Sequence, residues 1–277
     1  MTVDLRSLRR WLHSPSPVSP VPPATATGRT ALRWEIFLVL AVTFGTSGVR
    51  AALRLLEAAT TPTRLNEQTT TLNAPVSTLA WLDPVFQLIS SGVLLAWGGL
   101  AVLLLLRHVP VRLAGLTDPD RPGLPRPRLQ DVLPGAGLAA LIGLPGLLFY
   151  VAAVKLNLSR QVVASGLNSS AGDLALLVVN AWANGVAEEV IVVAWLVSRL
   201  RQLQVPWAWV FAASAVLRGS YHLYQGYSAG LGNVLMGLVF VYFFYRTGRV
   251  WPLIIAHGLI DTVAFVGYQV LGGVPGL

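Results

Sequence analysis

Cysteine is absent from the 277 residues, and lysine occurs once, as Lys155. The absence of cysteine excludes disulfide bonds, thiolate zinc sites and a cysteine nucleophile. Charged residues make up only 12% of the chain, about half the roughly 25% of an ordinary soluble domain. Apolar residues make up 54%. This composition excludes a disordered protein, a coiled coil and a secreted disulfide scaffold.

Long apolar runs divide the chain, and each predicts a transmembrane helix, because lipid offers no partner for an unpaired backbone amide. A helix must cross about 30 Å of hydrocarbon. The predicted spans are Trp34–Leu56, Pro84–Leu106, Gly135–Val154, Gly172–Val197, Trp207–Leu223, Gly230–Tyr245 and Trp251–Leu271. The fifth and sixth are the shortest. The sequence therefore predicts an all-α, polytopic membrane protein with about seven spans.

The basic residues between these runs predict the orientation. With the N-terminus in the cytoplasm, 14 arginines lie on the inner side, and five basic residues lie on the outer side. This bias favours a cytoplasmic N-terminus and an outer C-terminus in the plasma membrane. The net charge of +8 is thus a topology signal, and no nucleic-acid partner is expected. The preference for arginine and alanine suggests a bacterial source.

Two units are expected along the chain. Residues 1–30 are rich in proline and serine, lack an apolar segment and predict a disordered cytoplasmic tail. Residues 31–277 form a single transmembrane domain.

Ionisable residues inside the predicted spans are few. Charge at this depth costs several kcal/mol, so such residues indicate function by default. Glu35, Arg50, Arg54 and Asp173 are assigned to span ends, and the others lie on the fourth, fifth and seventh predicted spans only: Glu188, Glu189, Arg218, His222, His257 and Asp261.

Spacing by four residues places polar side chains in stripes on these helices. The stripes are Asn180, Asn184 and Glu188, then Ser214, Arg218 and His222, then His257 and Asp261. Each helix is otherwise apolar, so the stripes are expected to face a common interior. A structural polar network that holds helices together is the alternative, but it does not require two glutamates, two histidines and an arginine.

This set of groups suits the activation of a water molecule, with a glutamate as the base and a histidine orienting the water. The remaining polar groups would hold the developing oxyanion. Arg218 offers a compensating charge, and Glu189 is its expected partner, which leaves Glu188 to activate water. Tyr221 and Tyr224 flank His222 and could hydrogen-bond a substrate, but a tyrosine at a helix end is more often an interfacial anchor, which is the interpretation we favour.

Three segments carry a specific resemblance: AEEVIVVAW, RGSYHLYQG and AHGLIDTVAF. They resemble the ordered motifs EExxxR, FxxxH and HxxxN/D of the CPBP family, the CAAX-processing and bacteriocin-processing (Abi-type) intramembrane proteases. The resemblance spans about residues 172–271. It implies an endopeptidase that cuts a peptide or protein in or at the membrane. It also implies catalytic roles for the motif residues Glu188, Glu189, His222, His257 and Asp261.

The sequence departs from the family pattern at two positions. Val193 stands where the first motif has arginine, and Arg218 stands where the second has phenylalanine. We interpret this as relocation of one charge. The third motif ends in Asp261 rather than in asparagine, and this aspartate would be protonated or would orient His257.

The sequence is also compatible with other functions. One is a catalytically silent family member, acting as an immunity or scaffold protein. Another is a proton-coupled transporter. A serine protease built on Gly219-Ser220 would leave both glutamates unexplained, and an aspartyl protease would need a second deep aspartate beside Asp261.

The resemblance leaves the metal open, since the family has been described both as metalloproteases and as metal-free glutamate proteases. The sequence contains no HExxH motif. Zinc ligands, if any, would be Glu188, His222 and His257. We favour a metal-free site with no cofactor, because Arg218 and Zn²⁺ would repel each other.

Overall fold

A computed structural model describes residues 16, 18, 20, 22–108, 127–166 and 170–277. Most of the predicted N-terminal tail, and the arginine-rich linker between the second and third predicted spans, lie outside these residues. The first described helix begins at Ala26, inside the range assigned to the tail.

The described chain is almost entirely helical. Its helices, numbered in chain order, are α1 (Ala26–Val42), α2 (Phe44–Thr60), α3 (Asp83–His108), α4 (Leu129–Lys155), α5 (Ala171–Glu188), α6 (Leu196–Gln202), α7 (Trp207–Ser220), α8 (Tyr227–Thr247) and α9 (Trp251–Leu271). A π-helical segment, Glu189–Trp195, joins α5 to α6, and single 3₁₀ turns occur at Leu65–Glu67 and Leu223–Gln225.

Five of the described helices are long and apolar enough to cross a membrane, which confirms an all-α, multi-pass membrane protein. The count differs from the seven expected spans at two places. The first predicted span is broken at Thr43 into α1 and α2, bent by 47° and counted as a sixth span only if the pair is one crossing. The fifth, α7, has 14 residues. That length spans about 21 Å, less than the hydrocarbon core.

The break at Thr43 has a local cause. Its hydroxyl donates to the Val39 carbonyl at 2.6 Å, and its backbone leaves the helical region with φ −123° and ψ −122°. A side-chain hydroxyl that bonds back to the preceding turn commonly bends a helix. Hydropathy alone does not report such a break.

Two short strands form a parallel pair that the sequence did not predict. β1 (Thr69–Asn73) follows α2, β2 (Gln161–Ser165) follows α4, and Thr69 pairs with Gln161. The pair therefore ties the chain that leads into α3 to the chain that leads into α5.

The core is centred on α5 and its π-helical extension, whose residues from Glu188 to Val197 are all buried. Helix α9 packs closely on α5 at Gly185, where an added Cβ would lie 3.1 Å from the Gly258 nitrogen and 3.5 Å from the His257 Cβ. A glycine thus brings the backbone of α5 against His257. Helix α3 runs parallel to the continuous helix formed by α5, the π-helical segment and α6, since Ser91 contacts Asn180 on α5 and the later residue Leu104 contacts Arg199 on α6.

A buried ion pair joins α1 to α6. The Arg199 Nε donates to Glu35 Oε1 at 2.7 Å, and Trp195 Nε1 donates to the same oxygen at 2.9 Å. Arg199 also donates to the Leu104 carbonyl at 2.6 Å and to Gln202 at 2.8 Å. Its side chain is 0% exposed, so this arginine, counted among the inner-side charges, is an internal clamp among three helices.

Removal of the acid from this pair should destabilise the fold. Glu35→Ala would leave the Arg199 guanidinium buried without its carboxylate, which typically costs about 3–5 kcal/mol. The free energy of unfolding, measured by chemical denaturation in detergent micelles, should fall by about that amount. Glu57→Ala, at an exposed glutamate of α2, is the matched control and should change little. Equal stability of the two variants would contradict the clamp.

Candidate active site

The two adjacent glutamates both point into the core. Glu188 ends α5 and Glu189 begins the π-helical segment. Successive side chains on an α-helix are about 100° apart. A π-helix, with its i→i+5 hydrogen bonds, has a wider turn and occurs frequently at functional sites. The segment is held by Ser214 on α7, whose hydroxyl donates to the Val192 carbonyl at 2.7 Å.

Arg218 on α7 lies against both carboxylates. Its Nη2 is 2.6 Å from Glu189 Oε1, and its Nη1 is 3.3 Å from Glu188 Oε2. The guanidinium is 0% exposed and lies over the ring of Phe240, 5.3 Å from the centroid. The shorter contact is to Glu189, the partner that the sequence analysis expected.

His257 on α9 lies between two carboxylates. Its Nδ1 is 2.6 Å from Glu189 Oε1, and its Nε2 is 3.5 Å from Asp261 Oδ2, one turn later. His257 is buried, whereas the Asp261 side chain is 20% exposed. The ring orientation is therefore set mainly by Glu189, and Asp261 stands at the open side of the ring.

His222 follows the end of α7 and lies 3.0 Å, through its Nδ1, from the carbonyl of Arg218. A carbonyl can only accept, so Nδ1 carries the proton in this contact and Nε2 is left as an acceptor. Within residues 170–277 no hydrogen bond joins the His222 ring to either glutamate. The ring is instead linked to them through Arg218, whose backbone it contacts.

The polar stripe on α5 divides between two places. Asn180 lies in a separate buried cluster with α3, where it accepts from the Ser91 hydroxyl and donates to Gln87 Oε1 at 3.3 Å. This cluster joins helices, as the structural alternative for such residues predicts. Asn184 is half-buried and lies one turn before Glu188.

Tyr221 is the site residue that the sequence analysis missed. Its hydroxyl donates to Glu188 Oε2 at 2.6 Å, and the residue is 7% exposed. The interfacial-anchor interpretation of Tyr221 is therefore wrong. Its position three residues after Arg218 was the available signal, because residues three apart lie on neighbouring positions of one helix face.

A divalent cation would find a partial ligand set here. Among the described residues, Glu188, Glu189 and His257 offer ligand atoms that all lie within 4.8 Å of one another. His222, expected as a zinc ligand, is not part of this group. The Glu188 oxygen Oε2 and the Glu189 oxygen Oε1 already contact Arg218. A cation at this point would stand beside a guanidinium, so the residues present do not fit a zinc centre well.

The fold and site define a class: a multi-pass helical membrane protein with carboxylates, imidazoles and an arginine enclosed between α5, α7 and α9. Residues 170–263 match the family model described as type II CAAX prenyl endopeptidase, Rce1-like. This match confirms the resemblance to CAAX-processing proteases and includes every candidate catalytic residue from Glu188 to Asp261. Helices α1 to α4 lie outside it. Neither a curated protein nor a solved structure matches the chain.

The Arg218 contacts generate a stability prediction. Arg218→Ala leaves two buried glutamates without their guanidinium, so the free energy of unfolding should fall by about 3–5 kcal/mol. The double variant Arg218→Leu with Glu189→Leu removes both members of the shorter pair and should recover much of that loss. Chemical denaturation in detergent measures both effects.

The control for this experiment is Arg54→Ala, at an exposed arginine of α2, which should behave like the wild type. If the Arg218→Ala protein is as stable as the wild type, the buried ion pair contributes nothing to the free energy of unfolding. The relocated-charge interpretation would then fail.

Proposed function

We propose that this protein is an intramembrane endopeptidase in which Glu188 activates a water molecule that hydrolyses a peptide bond. The observation that carries the proposal is the buried constellation of Glu188, Glu189, Arg218 and His257, joined by contacts of 2.6–3.3 Å. The family match at residues 170–263 supports the same activity. Packing between helices does not by itself require several ionisable side chains buried together.

Glu188 is the better base of the two glutamates. Glu189 is 0% exposed, and its Oε1 contacts both Arg218 and His257. Glu188 retains 9% side-chain exposure and is therefore the carboxylate that water can reach. Glu189 holds Arg218 and His257 in place, which makes it a positioning residue for the other groups.

Each group of the site has one role in the proposed hydrolysis. Glu188 takes a proton from water as the water oxygen attacks the carbonyl carbon of the scissile amide. The Nε2 acceptor of His222 orients the same water. His257, whose ring is held mainly by Glu189, faces the oxyanion that develops on the carbonyl, with Asp261 beside its Nε2. The proton on Glu188 then passes to the leaving nitrogen as the C–N bond breaks.

The proposal is for chemistry without a bound metal. Arg218 supplies the positive charge that balances the paired carboxylates, which is the role a cation would otherwise fill. The substrate class is a peptide or protein in or at the membrane, and the name of the matching family makes a prenylated C-terminal CAAX peptide the first substrate to test.

Substitution of Glu188 should abolish cleavage and preserve the fold. Purified protein in nanodiscs is assayed with a fluorogenic CAAX peptide in farnesylated and unmodified forms. Glu188→Gln keeps the shape and the Tyr221 contact but cannot take a proton, so turnover should fall at least about a hundredfold. Glu57→Gln, at an exposed glutamate, is the control and should retain full activity.

The same assay separates the competing functions. A wild-type protein that cleaves neither peptide, nor any member of a membrane-peptide library, would indicate a catalytically silent protein. Loss of activity with a chelator and its return with zinc would contradict the metal-free proposal and leave the protease intact.

We also propose a cytoplasmic N-terminus and an outer C-terminus in the plasma membrane of a bacterium. This orientation requires the 14-residue α7 to cross as one of seven spans, with local thinning of the bilayer around it. The cysteine-free chain allows a direct test with single cysteines and a membrane-impermeant maleimide. Thr78→Cys, before α3, and Leu277→Cys should be labelled from outside. Gln204→Cys, between α6 and α7, should be labelled only in inverted vesicles. Labelling of Leu277→Cys from the cytoplasmic side alone would show that one expected span does not cross.

A further inference from the structure

Tyr221 makes the shortest contact to the proposed base. Its phenolic O–H donates to Glu188 Oε2 at 2.6 Å, whereas the Arg218 contact to the same oxygen is 3.3 Å. The guanidinium is engaged chiefly by Glu189, at 2.6 Å. A hydrogen bond to an ionised carboxylate is about twice as strong as one between neutral groups. Tyr221 is therefore the principal partner of Glu188 on this side.

The Tyr221 ring is itself fixed from two sides. Phe44, the first residue of α2, packs against it with ring centroids 4.8 Å apart, and His222 lies 4.7 Å away on another side. Helix α2 comes this close because of Gly48, where an added Cβ would lie within 3.1 Å of the Ser220 Cβ. The bend between α1 and α2 thus places Phe44 against Tyr221 at the end of α7.

The hydroxyl of the neighbouring Tyr224 makes a different hydrogen bond from that of Tyr221. The Tyr224 hydroxyl accepts from Gln225 Nε2 at 3.1 Å, and among the described residues it makes no hydrogen bond to a proposed catalytic group. Both tyrosines flank His222 in sequence, yet only Tyr221 reaches a glutamate within the described residues. Position in the sequence does not separate them, whereas the contact with Glu188 does.

We propose that Tyr221 is a positioning residue that fixes the base: by holding Oε2 of Glu188, it leaves Oε1 to face the water. This role rests on the proposed hydrolytic function of Glu188. The phenol also favours the ionised carboxylate, because hydrogen bonding to a charged form stabilises that form. Phe44 supports the role indirectly by restricting the tyrosine ring.

The kinetic test is Tyr221→Phe, which removes one oxygen and keeps the ring that packs on Phe44. With the cleavable CAAX peptide, kcat should fall about tenfold to hundredfold, the range expected for loss of one hydrogen bond to a charged group. KM should stay within about twofold, and the variant should remain folded at the assay temperature. Tyr224→Phe is the matched control and should retain wild-type kcat. A change in KM alone, or an equal loss in both variants, would overturn the positioning role.

A second measurement does not depend on cleavage. A hydrophobic carbodiimide reacts with protonated carboxyl groups in membranes, and mass spectrometry gives the rate of modification at Glu188. Without the phenol, the protonated form is favoured and Oε2 is freed, so the rate should rise several-fold in Tyr221→Phe and stay unchanged in Tyr224→Phe. An unchanged rate in Tyr221→Phe overturns the inference. If the wild type cleaves no peptide, the proposed function fails, and this rate alone decides whether Tyr221 controls Glu188.

Discussion

The contact of one buried guanidinium with two adjacent carboxylates is the constraint on which the rest of the site depends. Burial of Glu188 and Glu189 without a cation would cost several kcal/mol. Arg218 meets both, at 3.3 and 2.6 Å. Because the two carboxylates share one cation, their oxygens converge on one side of α5, and His257 reaches Glu189 from α9. The remaining oxygens and the His222 ring are then arranged around that pair.

The helices outside the family match also shape this centre. Helix α1 holds the far end of the π-helical segment, where Glu35 contacts Trp195 and Arg199. Helix α2 holds Tyr221 through Phe44. The break at Thr43 lies between these two contacts, so one bent helix pair fixes both the segment that begins with Glu189 and the phenol that contacts Glu188. The matching region contains the candidate catalytic residues, and α1 and α2 contact that region at Trp195, Arg199 and Tyr221.

The sequence predicted the helical class and most of the site because both follow from local rules. Hydropathy located the apolar runs, and spacing by four placed Glu188, Arg218 and His257 on inward faces. The same rules could not separate Asn180, which bonds to α3, from residues of the site. They also could not identify the buried Glu35–Arg199 pair, whose members are 164 positions apart. An arginine near a helix end is normally interpreted as an exposed interfacial residue. Periodicity along one helix does not identify an ion-pair partner on another helix.

The relocation of the motif arginine from position 193 to position 218 changes which groups this residue can contact. An arginine at position 193 would belong to the same segment as the glutamates, and its backbone would lie on their side of the site. Arg218 belongs to α7, so its side chain reaches Glu188 and Glu189 while its carbonyl contacts Nδ1 of His222 at 3.0 Å. One residue thus fixes the carboxylates and the protonated nitrogen of the imidazole together. Position 193, now valine and fully buried, packs in the apolar core. The departure from the family pattern therefore preserves charge balance and links Glu188, the proposed base, to His222, which we propose orients its water.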